Sequence, residues 1–538
     1  MNEKKLNTLY LDVAQYKNDT IRTAIYFRKK QISFHDLNLR IDAMAKKLTH
    51  IGIRKDTVVT LLSPNVPEAL ITLYALNKIG AITCILHPLI PIKGLTDAIR
   101  QTNSEYTIIF DLRYDEYMEE LKNVIQHVYF ISIEPDLTFI EKFFAKKKLT
   151  EGRKNIDMTK MISSTSPLTD EEKDLDIETN EDAYKVSTYL RSGGTTGKSK
   201  MVILNDKAIR YAGSLANEIL GKDIGGMTMI GVLPMFHGFG LAMGIHAPLM
   251  NNTATYLMMK FDADEIAKAI NRNRINLLVG VPYMIEKLIS NRNFQKAKLE
   301  NLYMTFVGAD KPREALIHRF DDLMKKHGSI NRLYEGYGLT EVVTVDVVNT
   351  IKDHKIGSLG KPIRGVKVKI VNPEDRRIEM PIGSDGEILL SGESNCIGYL
   401  NCDKKHQPFF TDSKKITYVC TGDIGHLDKE GFLIFKGRNK DMIKIAGYNV
   451  FPSDIESLAM QVDGVVDCAA VFVDDATHPY IHLYIENHSV NDEKLAKAVM
   501  QHLKENLIRY SLPEKVTCLP HFPRTAVGKI DRRSLIHF

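Results

Sequence analysis

A nine-residue stretch, SGGTTGKSK at 192–200, combines glycines, hydroxyl side chains and lysines in a way that suits phosphate binding. Backbone N–H and hydroxyl groups donate hydrogen bonds to phosphate oxygens, and a lysine ammonium screens their charge. The spacing is not that of the nucleoside-triphosphatase loop, because Gly193 and Gly197 stand one residue too close, and the dinucleotide pattern G-x-G-x-x-G is absent. Taken alone, the stretch is as typical of a solvated turn as of a phosphate cradle.

Later segments contain further residue types that suit nucleotide chemistry. Glu341 offers hard oxygen ligands of the kind that Mg²⁺ prefers, and Asp423 is an acceptor-only carboxylate suited to a pair of ribose hydroxyls. Lys529 lies in the turn-like AVGKID, from which an ammonium can project into a cleft. The four segments occur in the order YEGYGLTEV (334–342), TGD (421–423), GRNKDMIKIAGYNVFPSDIE (437–456) and PRTAVGKIDRRSL (523–535).

Each of these segments also has an interpretation without chemistry. Thr340 and Glu341 would cap a helix, Asp423 would be a turn residue, and Lys529 would be a solvated surface lysine. His237, in the apolar stretch PMFHGFG, would be a structural histidine. For each segment by itself, both interpretations stay open.

The elements that must position these residues follow an α/β pattern. Helical spacing, as in SFHDLNLRIDAMAKKLTHIGI with its serine cap, alternates with β-branched strands such as TVVTLL, which predicts an α/β domain with largely parallel sheets. From about residue 355, short strands with Gly-rich turns predict an antiparallel or barrel-like subdomain. We place a boundary in FKGRNKD, which gives a large N-terminal domain of stacked α/β sheets at 1–437 and a small α+β domain at 438–538. Residues 143–182 are charged and weakly periodic, and are predicted to be a surface excursion.

Composition narrows the class of protein. A chain of 538 residues is too long for one core, and a net charge of +5 is too weak to indicate nucleic-acid binding. The six cysteines form no C-x-x-C pair, which predicts free thiols in a reducing compartment. The N-terminus has no apolar run typical of a signal peptide, and the most apolar stretch is too interrupted to be a membrane span. The sequence therefore predicts a cytoplasmic protein.

Together, the five segments resemble the adenylate-forming superfamily, which comprises acyl-CoA synthetases, adenylation domains of peptide synthetases and luciferases. The resemblance covers about residues 30–538 and is nearest to the acyl-CoA synthetases. It implies an ATP-dependent, AMP-forming acid ligase that uses Mg²⁺. A carboxylate attacks the α-phosphate of ATP and expels pyrophosphate, and a thiol then attacks the acyl adenylate and releases AMP. It also implies that the small C-terminal domain is mobile and turns between the two steps.

The resemblance implies roles for individual residues. The catalytic residues would be Lys529, Thr340, Glu341, Lys200 and His237, and the metal would be placed by Thr195 and Glu341. The ATP-binding set would comprise Ser192, Gly193, Gly194, Thr195, Thr196, Gly197, Lys200, Gly308, Ala309, Asp310, Gly336, Tyr337, Gly338, Thr340, Asp423, Arg438 and Lys529. Lys440 would be the hinge, and the thiol tunnel would be lined by Lys444, Ala446, Gly447 and Tyr448.

The acid is predicted to lie against an apolar wall. That wall would consist of Phe236, His237, Phe239, Leu241, Met243, Val307, Val342 and Val343. Enzymes of this kind that activate amino acids carry an aspartate where His237 falls, and a buried ammonium without such a partner would be costly. A fatty or aryl acid without an amine is therefore favoured.

The thiol acceptor stays open in the sequence, because coenzyme A and a carrier protein present the same phosphopantetheine arm. The first hypothesis is an acyl-CoA synthetase, and the second is a free-standing enzyme that loads a carrier protein. A third is a degenerate nucleotide-binding protein without ligase activity, against which the presence of Lys529, Glu341 and Asp423 argues. The oligomeric state is also open, with a homodimer among the options.

Overall fold

The computed structural model describes residues 6–111, 121, 124–125, 127–153, 156–192, 200–439, 443–445, 448–473, 480–487, 492–507, 509–524 and 530–535. The chain divides into two compact units. The first comprises residues 1–356, 360–367 and 390–419, and the second comprises 357–359, 368–389 and 420–538.

The strands and helices of the described residues are numbered here in chain order. The strands are Thr23–Phe27 (β1), Lys30–Ser33 (β2), Val58–Leu62 (β3), Ile82–Leu86 (β4), Tyr106–Phe110 (β5), His127–Ile131 (β6), Val186–Arg191 (β7), Met201–Asn205 (β8), Thr228–Gly231 (β9), Ala254–Leu257 (β10), Leu277–Gly280 (β11), Met304–Val307 (β12), Leu333–Tyr337 (β13), Val347–Val348 (β14), Lys361–Pro362 (β15), Lys367–Val371 (β16), Gly386–Ser391 (β17), Gly398–Tyr399 (β18), Phe409–Thr411 (β19), Thr417–Leu427 (β20), Leu433–Arg438 (β21), Ile443–Ile445 (β22), Tyr448–Val450 (β23), Asp467–Val473 (β24), Tyr480–Glu486 (β25) and Lys515–Leu519 (β26). The α-helices are Leu9–Ala14 (α1), Phe34–His50 (α2), Pro67–Ile79 (α3), Ile92–Thr102 (α4), Phe139–Gly152 (α5), Asp170–Lys173 (α6), Asp206–Ser214 (α7), Ala216–Leu220 (α8), Ala247–Met250 (α9), Ala263–Asn271 (α10), Pro282–Ser290 (α11), Arg292–Gln295 (α12), Glu314–Lys326 (α13), Pro452–Ala459 (α14), Glu493–Asn506 (α15) and Arg532–Leu535 (α16).

The first unit contains two large sheets that are mostly parallel. The nine-stranded sheet has the order β15-β14-β13-β12-β11-β9-β10-β1-β2, and the seven-stranded sheet has the order β18-β8-β7-β4-β3-β5-β6. Pairing is parallel from β13 to β1 in the first sheet and from β7 to β6 in the second. The α/β prediction, with largely parallel sheets, is confirmed.

Local sequence signals account for several of these elements. The Ser33 side chain accepts a hydrogen bond from the N–H of Asp36 and so caps α2, as predicted. Helix α3 begins at Pro67 and ends at Gly80, whose φ of 82° lies in the left-handed region that glycine adopts without strain. Almost every residue of α3 and of strand β4 is buried, and the apolar side chains of α3 from Ala69 to Ile79 belong to the main hydrophobic cluster.

A five-stranded sheet has the order β16-β17-β20-β19, with β21 paired to β20. The pairs β19–β20 and β20–β21 are antiparallel, in agreement with the antiparallel alternative for this part of the chain. Closure into a barrel stays a prediction.

The end of the second unit has the predicted α+β pattern. Strands β24, β25 and β26 form a three-stranded sheet, and α14 and α15 supply Ile455, Ala459, Val499 and Leu503 to the hydrophobic cluster on that sheet. The large and small parts of the predicted fold class are therefore present. The exact division at residue 438 stays a prediction.

The predicted surface excursion at 143–182 contains helical structure that the sequence analysis did not predict. Helix α5 reaches into this segment, and a capping box at Thr138 and Glu141 begins that helix. The apolar side chains of α5 face solvent rather than a core, so its sequence lacks the periodic apolar spacing that marks a packed helix. No helix in the described part of the chain has the length and apolarity needed to cross a bilayer.

Candidate functional site

The predicted site residues of the first unit collect where neighbouring parallel strands end. His237 follows β9, Gly308 follows β12, and Thr340 follows β13; β11 lies between β9 and β12 in the sheet. Because these strands are parallel, their carboxyl ends share one edge of the sheet. Ligands of open α/β sheets bind outside that edge.

Glycines allow the loops at this edge to touch. A Cβ on Gly238 would lie 1.8 Å from the carbonyl oxygen of Val343, and one on Gly308 would lie 3.3 Å from the Phe239 ring. The loops after β9, β12 and β13 are therefore in direct contact. Val343 has a φ of 63°, which is strained for a β-branched residue. Such strain is found disproportionately at functional sites, where the surrounding structure holds it in place.

The predicted acyl wall is brought together in part as an aromatic row. The ring centroids of Phe236 and His237 lie 4.7 Å apart, and the centroid of the His87 ring lies 4.5 Å from that of Phe236. The remaining predicted wall residues are buried, except that Phe239 is half-buried; these are Leu241, Met243, Val307, Val342 and Val343. His87 was missed in the sequence, although its position directly after the buried strand β4 was a usable signal.

Glu341 is held by a tyrosine that the sequence analysis did not identify. The hydroxyl of Tyr399 donates a hydrogen bond of 2.6 Å to Oε1 of Glu341, whose side chain is buried. Burial, and then the Glu341 carboxylate, raise the pKa of Tyr399 far above its usual value, so this hydroxyl stays protonated and keeps donating.

Lys200 lies on the other side of the same tyrosine. Its Nζ is 4.3 Å from the centroid of the Tyr399 ring, which is a cation–π distance. Strand β18, which contains Tyr399, pairs with β8, which begins directly after Lys200. Lys200 and Glu341 therefore flank one tyrosine ring, and the base of the Gly-rich loop lies beside the carboxylate.

The Gly-rich loop is the connection of an antiparallel hairpin. The N–H of Ser192 donates to the carbonyl of Lys200 at 2.8 Å, and the N–H of Lys200 donates to the Ser192 hydroxyl at 3.2 Å. These bonds close the loop at its base. The five predicted phosphate-binding residues at 193–197 lie outside the described residues.

The YGLTE segment does not have the structure that its non-chemical interpretation requires. Thr340–Val342 is a single 3₁₀ turn that follows Leu339, and no side chain caps it. Tyr337 is half-buried rather than a core residue. The helix-capping alternative for Thr340 and Glu341 is therefore wrong.

In the second unit, Asp423 and Arg438 are register partners across β20 and β21. Arg438 Nε lies 3.4 Å from Oδ1 of Asp423, which is buried. The TGD segment lies within strand β20, so the alternative interpretation of Asp423 as a turn residue is wrong. The two residues that the resemblance assigns to one nucleotide are thus held side by side.

The remaining predicted residues of the second unit are placed only in part. Strands β22 and β23 pair antiparallel, with Lys444 opposite Asn449 and Tyr448 opposite Ile445. The described residues of the KIAGYN segment therefore lie on two paired strands. The predicted hinge Lys440, the tunnel residues Ala446 and Gly447, and the predicted catalyst Lys529 lie outside the described residues.

Two buried carboxyl groups lie beside the YGLTE segment. Burial raises the pKa of Glu335 to about 8 and that of Asp346 to about 7. Asn349 donates to Glu335 at 3.2 Å, and the Ser394 hydroxyl donates to Asp346 at 2.6 Å. Both carboxyl groups therefore hold a proton at a pH where exposed carboxyl groups are ionised.

Replacement of Asp346 by asparagine is expected to flatten the pH dependence of stability. Between pH values of about 4 and about 7, the folded protein holds a proton on Asp346 that the unfolded chain has lost, so stability falls as pH rises through this interval. Asp346→Asn cannot ionise. Its unfolding temperature should decline less than the wild type's, by a few degrees, between pH 5 and pH 8. Asp322→Asn, at an exposed carboxyl group, serves as the control, and an unchanged slope in Asp346→Asn would contradict the expectation.

Replacement of Tyr399 by phenylalanine is expected to slow the chemistry of the site. The change removes one hydrogen bond to the carboxylate that the resemblance assigns to Mg²⁺, so for the adenylation that the resemblance implies we expect a loss of about tenfold or more in rate and a higher Mg²⁺ requirement. The measurement is isotope exchange between ATP and pyrophosphate over a range of Mg²⁺ concentrations. Tyr303 lies directly before β12, and its hydroxyl donates a hydrogen bond of 3.1 Å to the Leu220 carbonyl. Tyr303→Phe removes this bond and serves as the matched control. Equal rates for the two variants would sink the role given to Tyr399.

Comparison with known proteins identifies the architecture. The AMP-binding enzyme family matches residues 13–400, and the AMP-binding enzyme C-terminal domain matches residues 454–529. The chain is 26% identical over 545 residues to a long-chain-fatty-acid–CoA ligase of Bacillus subtilis, covering 99% of this chain and 94% of that enzyme. It is 27% identical over 522 residues to a 2-succinylbenzoate–CoA ligase of Listeria innocua, covering 95% and 96% of the two chains.

Solved structures share the fold over almost the whole chain. ATP-bound MatB from Rhodopseudomonas palustris superposes with a TM-score of 0.82 at 22% identity, covering 99% of both chains. The o-succinylbenzoate CoA synthetase of Bacillus subtilis in complex with its acyl-adenylate intermediate superposes with a TM-score of 0.78 at 20% identity, covering 98% of both chains. At these identities the likeness establishes the fold.

Proposed function

The chain belongs to the AMP-binding enzyme family, and on that basis we propose that it is an ATP-dependent acid–thiol ligase that forms an acyl adenylate and transfers the acyl group to coenzyme A. The observation that carries this proposal is the convergence of Glu341, Tyr399 and Lys200 beside the loops that end β9, β12 and β13. A carboxylate and an ammonium at this edge would suit phosphates that meet an apolar wall, which supports the proposal.

The described residues fit a magnesium ion that enters with its nucleotide. No group of three or more His, Cys, Asp or Glu side chains that could cage a metal occurs among the described residues. Glu341 offers a carboxylate of which the Tyr399 hydroxyl engages one oxygen, and this matches the use of one protein carboxylate plus substrate phosphates and water. A structural relative, the Bacillus subtilis o-succinylbenzoate CoA synthetase, was solved in complex with ATP and magnesium ion. When bound, the metal would neutralise phosphate charge as the reaction proceeds.

The residues of the chain would share the work of the first step. Thr340 would donate its hydroxyl to the α-phosphate, and Lys200 would lie near the departing pyrophosphate at the loop base. Tyr399 would keep Glu341 oriented. Lys529, carried by the C-terminal domain, would neutralise the attacking carboxylate and the α-phosphate at the point where the two anions meet.

The acid that fits best is apolar and without an amine. The row His87, Phe236 and His237 presents ring edges and faces, and the segment from Val232 to Ile245 contains no acidic residue that could pair with an ammonium. The two relatives of known sequence described above are named for a long-chain fatty acid and for 2-succinylbenzoate. We therefore propose a fatty or aryl acid.

The second step would need the C-terminal domain, residues 438–538, to turn about Lys440. The KIAGYN segment would then line the approach of the thiol, with Lys444, Ala446, Gly447 and Tyr448 along it. The reaction is proposed to take place in the cytoplasm, and the six cysteines, all of them described, form no disulfide, which supports a reducing compartment. A homodimer stays a prediction.

Two assays test the proposed function. Exchange of labelled pyrophosphate into ATP over a panel of acids reports the first step, and absence of exchange with every acid would favour the degenerate nucleotide-binding alternative. AMP release on addition of free coenzyme A reports the second step. Exchange without that release, but with release in the presence of a phosphopantetheinylated carrier protein, would establish the carrier-loading alternative instead.

A further inference from the structure

Helix α5 carries a large apolar surface that faces solvent. Phe139, Ile140, Phe143 and Phe144 are between 61% and 87% exposed. Their spacing of i, i+1, i+4 and i+5 places them along one side of the helix. On the other side, Leu149 is buried in the main hydrophobic cluster and Ala145 packs against it. The helix is thus anchored by one face and presents the other outward.

We call these four residues the α5 patch, and basic side chains surround it. Lys142, Lys146 and Lys147 are exposed on the same helix. The turn between β1 and β2 adds Arg28 and Lys29, which are also exposed. This turn lies beside the helix, since Arg28 is 3.7 Å from Glu141.

Acidic side chains near the patch are already engaged. Glu141 accepts hydrogen bonds from the backbone N–H and the hydroxyl of Thr138 in the capping box. Glu151 lies 3.9 Å from Lys147 at the i+4 position. Arg28 and Lys147 are the partners of these two carboxylates, but the five basic side chains named outnumber them, so the surface around the α5 patch carries a net positive charge.

We propose that the α5 patch docks the protein on the surface of a bilayer that contains anionic lipids. The aromatic rings would enter the boundary between headgroups and acyl chains, while the lysines and Arg28 would meet lipid phosphates. A second copy of the chain fits less well, because a symmetric pairing would bring the same basic side chains face to face. Docking would place the enzyme at the phase in which apolar acids dissolve. The proposal does not rest on the ligase activity.

Flotation of the full-length protein with vesicles tests the proposal. The protein should float with vesicles of phosphatidylcholine and phosphatidylglycerol, and much less with phosphatidylcholine alone. Phe143→Ala/Phe144→Ala should partition about tenfold more weakly, because two aromatic anchors are lost. Lys146→Glu/Lys147→Glu should lose the preference for the anionic vesicles.

Controls separate lipid docking from misfolding and self-association. Ile330→Ala/Ile382→Ala removes two comparably exposed apolar side chains outside α5, at 75% and 72% exposure, and should float like the wild type. The unfolding temperature of each variant reports its fold. Flotation of Phe143→Ala/Phe144→Ala at the wild-type level, or no preference of the wild type for anionic vesicles, would overturn the proposal. A dimer in sedimentation velocity that the Phe variant abolishes, without flotation of the wild type, would assign the patch to self-association.

Discussion

Replacing Lys529 with alanine is expected to lower the rate of acyl-adenylate formation by about a hundredfold or more, because one preorganised charge at the reacting centre is lost. The carboxylate of the acid and the α-phosphate are both anions, and the attack must bring them together. An ammonium between them stabilises the charge as it develops. Thioester formation from supplied acyl adenylate should change little, since that step begins after the two anions have reacted.

The two half-reactions provide the measurement for Lys529→Ala. Pyrophosphate exchange reports the first step, and release of AMP from supplied acyl adenylate and coenzyme A reports the second. Lys497→Ala removes an exposed lysine of the same C-terminal domain, 81% exposed on α15, and controls for general loss of charge. If both half-reactions fell equally in Lys529→Ala, the lysine would have a structural role rather than the catalytic one proposed.

Most of the scaffold could be predicted from local sequence because the signals that determine it are local. The serine cap before α2 and the Gly80 terminus of α3 mark helix ends directly. Alternation of helix and strand predicted the parallel pairing, which the structure confirms. The residues His237, Gly308 and Thr340 were named from the family resemblance, and the edge that they share follows from the strand order in the structure.

The parts that could not be predicted depend on contacts distant in sequence. Tyr399 reaches Glu341 across 58 residues through the two-residue strand β18, which has no pattern of its own. His87 meets Phe236 from the other large sheet. Helix α5 was missed for a different reason, since its apolar side chains face solvent and its periodicity therefore does not mark a core. Local propensity carries no information on such pairings.

Replacing Gly338 with alanine is expected to damage the site as severely as loss of a catalytic side chain. A Cβ at Gly338 would lie 1.7 Å from the carbonyl oxygen of Thr344, so one backbone segment would have to move. The segment between them carries Thr340 and Glu341, and a displacement of about 1 Å in a positioned group can cost about a hundredfold in rate. Overpacking should also lower the free energy of unfolding by about 1–3 kcal/mol.

Gly280→Ala is the matched control for Gly338→Ala, because it adds a methyl group at the end of β11, in the same sheet, with ordinary contacts of 3.6 Å. Its unfolding temperature should stay close to that of the wild type, whereas that of Gly338→Ala should fall. At temperatures where Gly338→Ala is fully folded, its rate of pyrophosphate exchange should still be far below that of the wild type. A folded Gly338→Ala with wild-type exchange would show that the loop relaxes without moving Thr340 and Glu341, and the close approach of the two backbones would then have no part in placing the carboxylate.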